Sequence, residues 1–268
     1  MSGSTLKTRI RAWLSPLAEF GMDPFKFVAA LRTLPRFHRE WRQFRRALRA
    51  DPTAPPISIA AHLHDRQLPG GDASGHYFHQ DLYVAKRVFQ SAPIEHIDVG
   101  SRIDGFVAHV AVFRRITVID LRPNRQRVGN IEFRQADMSA PLNPDLVACC
   151  DSLSCLHALE HFGLGRYGDP VDPDAHRRGL RNLHAMLKPG GTLYLSVPIG
   201  PSRIEFNAQR VFALPALLRW VGEHFTVQSL AVVDDAGELH EQVALEPSAV
   251  DRNLGCRYGC AILELRKA

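Results

Sequence analysis

From about residue 91 onward the chain alternates short runs rich in Val, Ile and Leu with longer helical runs, and this alternation sets the fold class. The stretches 94–99, 115–120, 131–135, 151–156 and 192–197 read as strands, with helices at 106–113 and 174–187. Strands joined through helices pair in parallel, because the crossover must climb back over the sheet. The result is an open parallel sheet with helices on both faces. Two last runs, Phe225–Val233 and 260–265, have no convincing helix between them and are expected to pair antiparallel at one edge.

The first fifty residues are different. They hold eleven Lys and Arg against Glu19, Asp23 and Glu40, a balance of +8; the whole chain is +5, so the other 218 residues carry −3. A uniformly basic nucleic-acid binder would not show this split. Leu6, Ile10, Trp13, Leu14 and Leu17 recur at helical spacing, Asp23-Pro24 reads as a cap and first turn, and Phe37, Trp41, Phe44 and Leu48 form another apolar stripe. Two or three basic helices are expected. Prolines and glycines between residues 51 and 75 mark a linker, which divides the chain into a basic helical region with linker, 1–70, and a main domain, 71–268. The basic helices have four expected roles: a lid, a hold on an anionic glycan, peripheral contact of residues 1–50 with an anionic membrane, or simple solvation of outer helix faces.

A hydrophobic share of 45% and a charged share of 23% fit an ordinary globular chain. No apolar run approaches the ~18 residues of a membrane span. Five cysteines, an odd number without zinc-ribbon spacing, read as reduced structural thiols in a cytoplasm. The N-terminus lacks the apolar core of a secretory signal; a mitochondrial transit segment is the less favoured reading.

The chemistry begins at His96-Ile97-Asp98-Val99-Gly100-Ser101-Arg102-Ile103-Asp104-Gly105-Phe106. A strand ending in Asp-x-Gly and turning into a helix is how open α/β sheets receive a nucleotide-like cofactor, since glycine admits close approach and the helix start offers free N–H groups. Asp120 ends the second strand, followed by Leu121, where a carboxylate can accept both ribose hydroxyls of an adenosine. Asp137, with Met138, follows the third strand, where an acid can accept from an adenine amino group. Lys188-Pro189-Gly190-Gly191 reads as a helix stop and turn before the strand from Thr192.

From about residue 76 to the C-terminus, these elements resemble a class I S-adenosylmethionine-dependent methyltransferase. The resemblance implies a Rossmann-like seven-stranded methyltransferase sheet, mostly parallel with the last strand antiparallel, behind a basic helical N-terminal extension. It implies that Asp98, Gly100, Ser101, Arg102 and Gly105 hold the methionine end of S-adenosyl-L-methionine, Asp120 and Leu121 the ribose, and Asp137 and Met138 the adenine edge. The runs 99–106, 157–170 and 76–81 are similar to a narrower branch catalogued as a domain of unknown function first described from nematodes, whose bacterial members point to envelope glycans. One departure stands out: Gly100 and Gly105 are five apart, the middle glycine is lost, and Arg102 and Asp104 lie between. Arg102 then either meets the methionine carboxylate or pairs with Asp104.

After the fourth strand comes His157-Ala158-Leu159-Glu160-His161. On a helix, residues 157, 160 and 161 share one face. The string also spells an inverted zinc-protease signature, but its place at a strand end and its stop at Gly163 argue against proteolysis. Ubiquinone-pathway O-methyltransferases carry a similar metal-associated string there, so the resemblance leaves a divalent metal on His157, Glu160 and His161 open without requiring it. His161 is the expected general base, with Glu160 orienting or sharing its proton and His157 as second choice. Arg166 and Tyr167, Arg203 and Asn207, and His79 are the expected substrate contacts. The expected reaction is O-methylation of a sugar hydroxyl in a cell-envelope polysaccharide or its precursor. A glycan or sugar nucleotide is then the partner, in the cytoplasm or at the inner face of the membrane. Nucleic acid is disfavoured because the Asn/Asp-Pro-Pro-aromatic string is absent. Two alternatives stay open: a non-catalytic methyltransferase-fold binding or assembly protein, and an RNA methyltransferase.

Overall fold

A computed structural model describes residues 20–49, 51, 53–67, 70–71 and 73–268. The chain divides into two compact units, Met1–Asp72 and Ala73–Ala268. The apolar pattern at residues 6–17 lies outside the described residues.

In the first unit, one helix, α1 (Pro24–Leu48), replaces the two expected between residues 23 and 48. Asp23 caps it, its Oδ1 accepting from the N–H groups of Phe25 and Lys26 at 3.0 Å each. Pro35 sits inside without ending it, although an interior proline removes one helix hydrogen bond and crowds the preceding turn. Glu40 bridges Arg36 and Arg66 at 2.8 and 3.2 Å. Among the described residues, no helix is long and apolar enough to cross a membrane.

The second unit contains α2 (Gly75–Ser91), β1 (His96–Val99), α3 (Ala108–Ala111), β2 (Ile116–Asp120), β3 (Ile131–Gln135), β4 (Cys150–Leu156), α4 (Ala175–Met186) and β5 (Leu187–Ile199). It continues with β6 (Arg203–Glu205), β7 (Gln209–Val211), α5 (Leu214–Gly222), β8 (Phe225–Val233), β9 (Leu239–His240), α6 (Pro247–Val250) and β10 (Gly259–Lys267). The main sheet runs β3-β2-β1-β4-β5-β10-β8-β9, and β6 and β7 form a separate hairpin. Pairs from β3 to β5 are parallel, whereas β10 is antiparallel to both β5 and β8. The expected edge pairing of the last two long strands is therefore present. The sheet gains an eighth, two-residue strand, β9, on its outer edge.

Side chains that alternate across the strands fill two cores. On one face, Leu193, Leu195 and Val197 of β5 and Leu263 and Leu265 of β10 meet Leu180, Leu183 and Met186 of α4 and Leu214 and Leu217 of α5. On the other, Tyr194 and Ile262 meet Tyr83, Val84 and Val88 of α2 and Phe106 and Val110. β1 and β4 lie between these layers, and all four residues of β1 are buried. The turn expected at 188–191 loops out of the β4–β5 ladder, where the pairing jumps from Cys150–Leu187 to Ser152–Thr192.

Strand order reverses between β1 and β4, so the connections leaving their carboxyl ends diverge and open a crevice there. Open α/β sheets bind ligands at such a point.

Candidate functional site

The crevice is a cleft walled by Gly100, Asp120, Leu121, Arg122, Asp137, Met138, Ser139, His157, His161, Phe162, Tyr167 and Asp169, among others. Of the residues expected around a cofactor, Gly100, Asp120, Leu121, Asp137 and Met138 line it. Gly100 adopts φ +71°, and a Cβ there would come 2.9 Å from Ala158 Cβ. Glycine thus keeps both the turn and the space.

The structure gives the other four turn residues a different place. Asp98 is buried, its Oδ1 accepting from the hydroxyls of Ser101 at 2.6 Å and Ser154 at 2.5 Å, and its Oδ2 from the Ser101 N–H at 3.0 Å. Burial pushes its carboxyl up to about 6 against the pull of these donors. Ser101 in turn accepts from Leu156 N–H at 3.2 Å, so both residues tie the turn to β4 rather than face the cleft. Arg102 forks onto Asp104 at 3.0 and 2.7 Å in an exposed pair and lies over the Tyr77 ring. The pairing alternative for Arg102 is the observed one. Gly105 lies against the carboxylate of Asp81, which occupies the space a Cβ would need. Asp81 is itself buried, which raises its pKa to about 6. The lengthened loop therefore wraps an acid from α2, and glycine at 105 serves that contact.

Two acids remain on the wall. Asp137 Oδ1 accepts from the N–H and hydroxyl of Ser139 at 2.8 and 2.7 Å. Asp120 is gripped by Arg122, whose backbone N–H, Nε and terminal nitrogen meet its two oxygens at 2.8, 3.0 and 2.8 Å. The Arg122 guanidinium also lies 4.7 Å from the centre of the Tyr167 ring. Sequence reasoning missed Arg122, although its position two residues after Asp120, the acid expected at the ribose, was the available signal.

The His157–His161 string does not share one helix face. His157 has φ +49° and precedes a single 3-10 turn, Leu159–His161. Glu160, fully buried, accepts from His157 Nδ1 at 2.7 Å, and its Oε1 is 3.7 Å from His161 Nε2. His161 Nδ1 lies 2.6 Å from the Ala208 carbonyl. A carbonyl only accepts, so Nδ1 carries the proton and Nε2 keeps its lone pair. Burial pushes the His161 imidazole below its ordinary value, with Glu160 partly opposing. This favours the neutral form of the ring, which borders the cleft. For His157 burial also works downward, but Cys260 and Glu160 outweigh it and hold the imidazole above its ordinary value. Among the described residues, His157, Glu160 and His161 do not converge as a ligand group; Glu160 Oε1 instead accepts from His157 Nδ1. Among the described residues, the ligand group that does converge is His76, His157 and Cys260.

Of the expected substrate contacts, Tyr167 lines the cleft. Arg166 reaches the Ala208 carbonyl at 3.1 Å and the face of Tyr167. Arg203 is engaged by Glu205 at 2.7 Å and by the carbonyls of Pro201 and Arg257, which makes it a strut of the β6–β7 hairpin. Asn207 is exposed at the tip of that hairpin, and His79 lies on α2; neither borders the cleft. Arg210 is buried and donates to the carbonyls of Glu160, Phe162 and Pro173 at 3.1, 2.6 and 3.3 Å, pinning the segment that carries His161.

The strand order, the antiparallel β10 and the crevice together define the class I methyltransferase fold. Residues 135–222 match the family described as Caenorhabditis protein of unknown function, DUF268. Among solved structures, the [4+2]-cyclase SpnF is similar with a TM-score of 0.51 and 17% identity, covering 74% of this chain and 85% of its own. The Burkholderia thailandensis 1,6-didemethyltoxoflavin N1-methyltransferase, with bound 1,6-didemethyltoxoflavin and S-adenosylhomocysteine, has a TM-score of 0.48 and 20% identity over 80% and 94% of the two chains. The N-methyltransferase NodS of Bradyrhizobium japonicum WM9, in complex with S-adenosylhomocysteine, has a TM-score of 0.47 and 16% identity over 72% and 88%. No curated protein matches the chain.

Proposed function

We propose that this chain is an S-adenosylmethionine-dependent methyltransferase acting on an oxygen, with a sugar hydroxyl of an envelope polysaccharide or its precursor as acceptor. The observation that carries the reading is the position of His161: a neutral imidazole with its Nε2 lone pair free borders the same cleft as Asp120 and Asp137. When bound, the cofactor supplies an electrophilic methyl group on a sulfonium. Asp120 would accept from the ribose hydroxyls and Asp137 from the adenine amino group, and glycine at 100 would admit the cofactor closely. His161 Nε2 takes the acceptor proton, while Ala208 holds the ring in the tautomer that can do so. Tyr167 offers a flat face to a sugar, and the neighbouring Arg122 and Arg166 suit a phosphate attached to it.

One observation favours the alternative of a binding protein without turnover: Arg122 occupies both oxygens of Asp120. The Arg122 side chain is 56% exposed, and exposed ion pairs contribute only ~0–1 kcal/mol. A diol making charge-assisted hydrogen bonds, each worth ~1.5–3 kcal/mol, displaces it readily.

Calorimetric titration of S-adenosylmethionine and S-adenosylhomocysteine into the full chain tests the reading. Micromolar binding is expected, and Asp120→Ala weakens it by at least ~10-fold, the worth of one charged hydrogen bond. Absence of binding at millimolar ligand in folded protein would sink the enzyme reading. Transfer of labelled methyl to nucleotide sugars or polysaccharide fragments then identifies the acceptor.

A further inference from the structure

We infer that His76, His157 and Cys260 form a binding site for one transition-metal ion of the zinc class. The three come from separate places in the chain: His76 from the first turn of α2, His157 from just past β4, and Cys260 from β10. Their ligand atoms all lie within 4.8 Å of one another. With metal–nitrogen and metal–sulfur bonds of about 2.0 and 2.3 Å, tetrahedral zinc sets such atoms ~3.6 Å apart. Closure around an ion therefore needs a contraction on the order of 1 Å.

A second observation points to a missing ligand. His157 is buried, and its Nε2 has no hydrogen-bond partner. A buried imidazole nitrogen without a partner carries the full cost of its lost hydration, and an ion at this place would remove that cost. Its other nitrogen is already held: Nδ1 lies 2.7 Å from Glu160 Oε1, so the ring presents Nε2 inward. A carboxylate behind a histidine is the usual support of a metal ligand, fixing the tautomer and raising basicity. His76 is stacked on His157, with ring centres 5.1 Å apart and planes 22° apart. Tyr77 packs against His157 and Tyr258 against His76, each also at 5.1 Å, which walls the group with aromatic rings.

The donor set selects the ion. Two imidazoles and a thiol suit zinc, cobalt or copper and have little to offer magnesium or calcium, which prefer oxygen. On binding, Cys260 and the imidazolium of His157 each release a proton to solvent, so that the thiolate and the His157 Nε2 lone pair coordinate. Three protein donors leave a fourth position for an exchangeable ligand, the pattern that distinguishes reactive zinc sites from closed structural ones. These ligands differ from the His157, Glu160 and His161 set considered from sequence, and the site stands independently of the methyl-transfer reading.

The test uses the full chain, stripped with chelator and dialysed against zinc or cobalt. One ion per chain is expected, unaffected by excess magnesium. Cobalt should give an ultraviolet thiolate charge-transfer band with visible bands of tetrahedral intensity. Cys260→Ser should abolish the charge-transfer band, and Cys149→Ser should retain it. Glu160→Gln should weaken zinc affinity by roughly 10–100-fold, as loss of a supporting carboxylate does. Circular dichroism establishes that each variant is folded. Failure of the folded wild-type chain to bind more metal than a folded His76→Ala/Cys260→Ser variant would overturn the proposal. So would a thiolate band that survives Cys260→Ser.

Discussion

His161→Ala is expected to lower kcat for methyl transfer by roughly 10²–10⁴-fold, the usual contribution of a positioned general base, while cofactor affinity stays unchanged. The separation follows from geometry: His161 borders the cleft, while the acids expected to hold the cofactor, Asp120 and Asp137, come from other strands. The pH dependence has a defined sign. Burial lowers the His161 pKa below the ordinary histidine value of about 6.5. The ring therefore stays neutral and competent to lower pH than an ordinary histidine, and kcat falls as pH drops through the depressed value. Proton NMR of the imidazoles measures this without an acceptor, the His161 resonance being the one missing from the variant. A titration midpoint above 6.5, or a kcat insensitive to the substitution, would remove His161 from the proton-transfer role.

Gly163→Ala and Gly168→Ala should differ sharply in stability, although both glycines have positive φ, +76° and +90°. An alanine forced into that region costs ~1–2 kcal/mol at either site. At Gly168 nothing lies within 4 Å of the added Cβ, so the cost ends there. At Gly163 the Cβ would run into the Asp172 carbonyl and come 2.6 Å from Ala175 Cβ. Overpacking adds a further ~1–3 kcal/mol. Gly163 N–H also binds Asp169 at 2.7 Å, and the same carboxylate accepts from Gly165 and Tyr167. The variant therefore displaces the loop bearing Tyr167. Urea unfolding of the two variants reads the difference directly. Equal losses would mean that the 163–175 turn has slack the structure does not show. For a domain whose whole stability is ~5–15 kcal/mol, the larger loss should also reduce the yield of folded protein.

Much of the fold was legible because burial writes itself into local composition. β2 and the second half of β5 are mostly apolar and buried, whereas β1 and β4, buried as well, carry His96, Asp98, Ser152 and Ser154 among their apolar residues. β8 and β10 were recognisable as edge partners because both end the chain without a helical run of comparable length between them. α5 was missed because Leu214-Pro215-Ala216-Leu217-Leu218 opens on a proline and is apolar enough to pass for loop-flanked core. α1 was read as two helices, one opening at Asp23-Pro24 and one carrying the Phe37–Leu48 stripe, although Pro35 between them disfavours but does not forbid a continuing helix. At the site, Asp120 and Asp137 were readable from their places after strands. Asp98 was also readable, but its role was not. Whether an acid faces a ligand or holds a turn depends on where Ser101 and Ser154 stand, and Ser154 lies on another strand. The grouping of His76 with Cys260 had no sequence signal, since the packing of α2 on β10, not spacing, brings them together.

The contact between Gly105 and the Asp81 carboxylate has an evolutionary consequence. A side chain at 105 has room only if position 81 is shortened, and an acid at 81 persists only opposite glycine. The two positions are therefore expected to change together in related sequences. Gly105→Ala should be poorly tolerated alone and largely rescued by Asp81→Ala, giving a measurable case of epistasis between a helix and a loop remote from it in the chain.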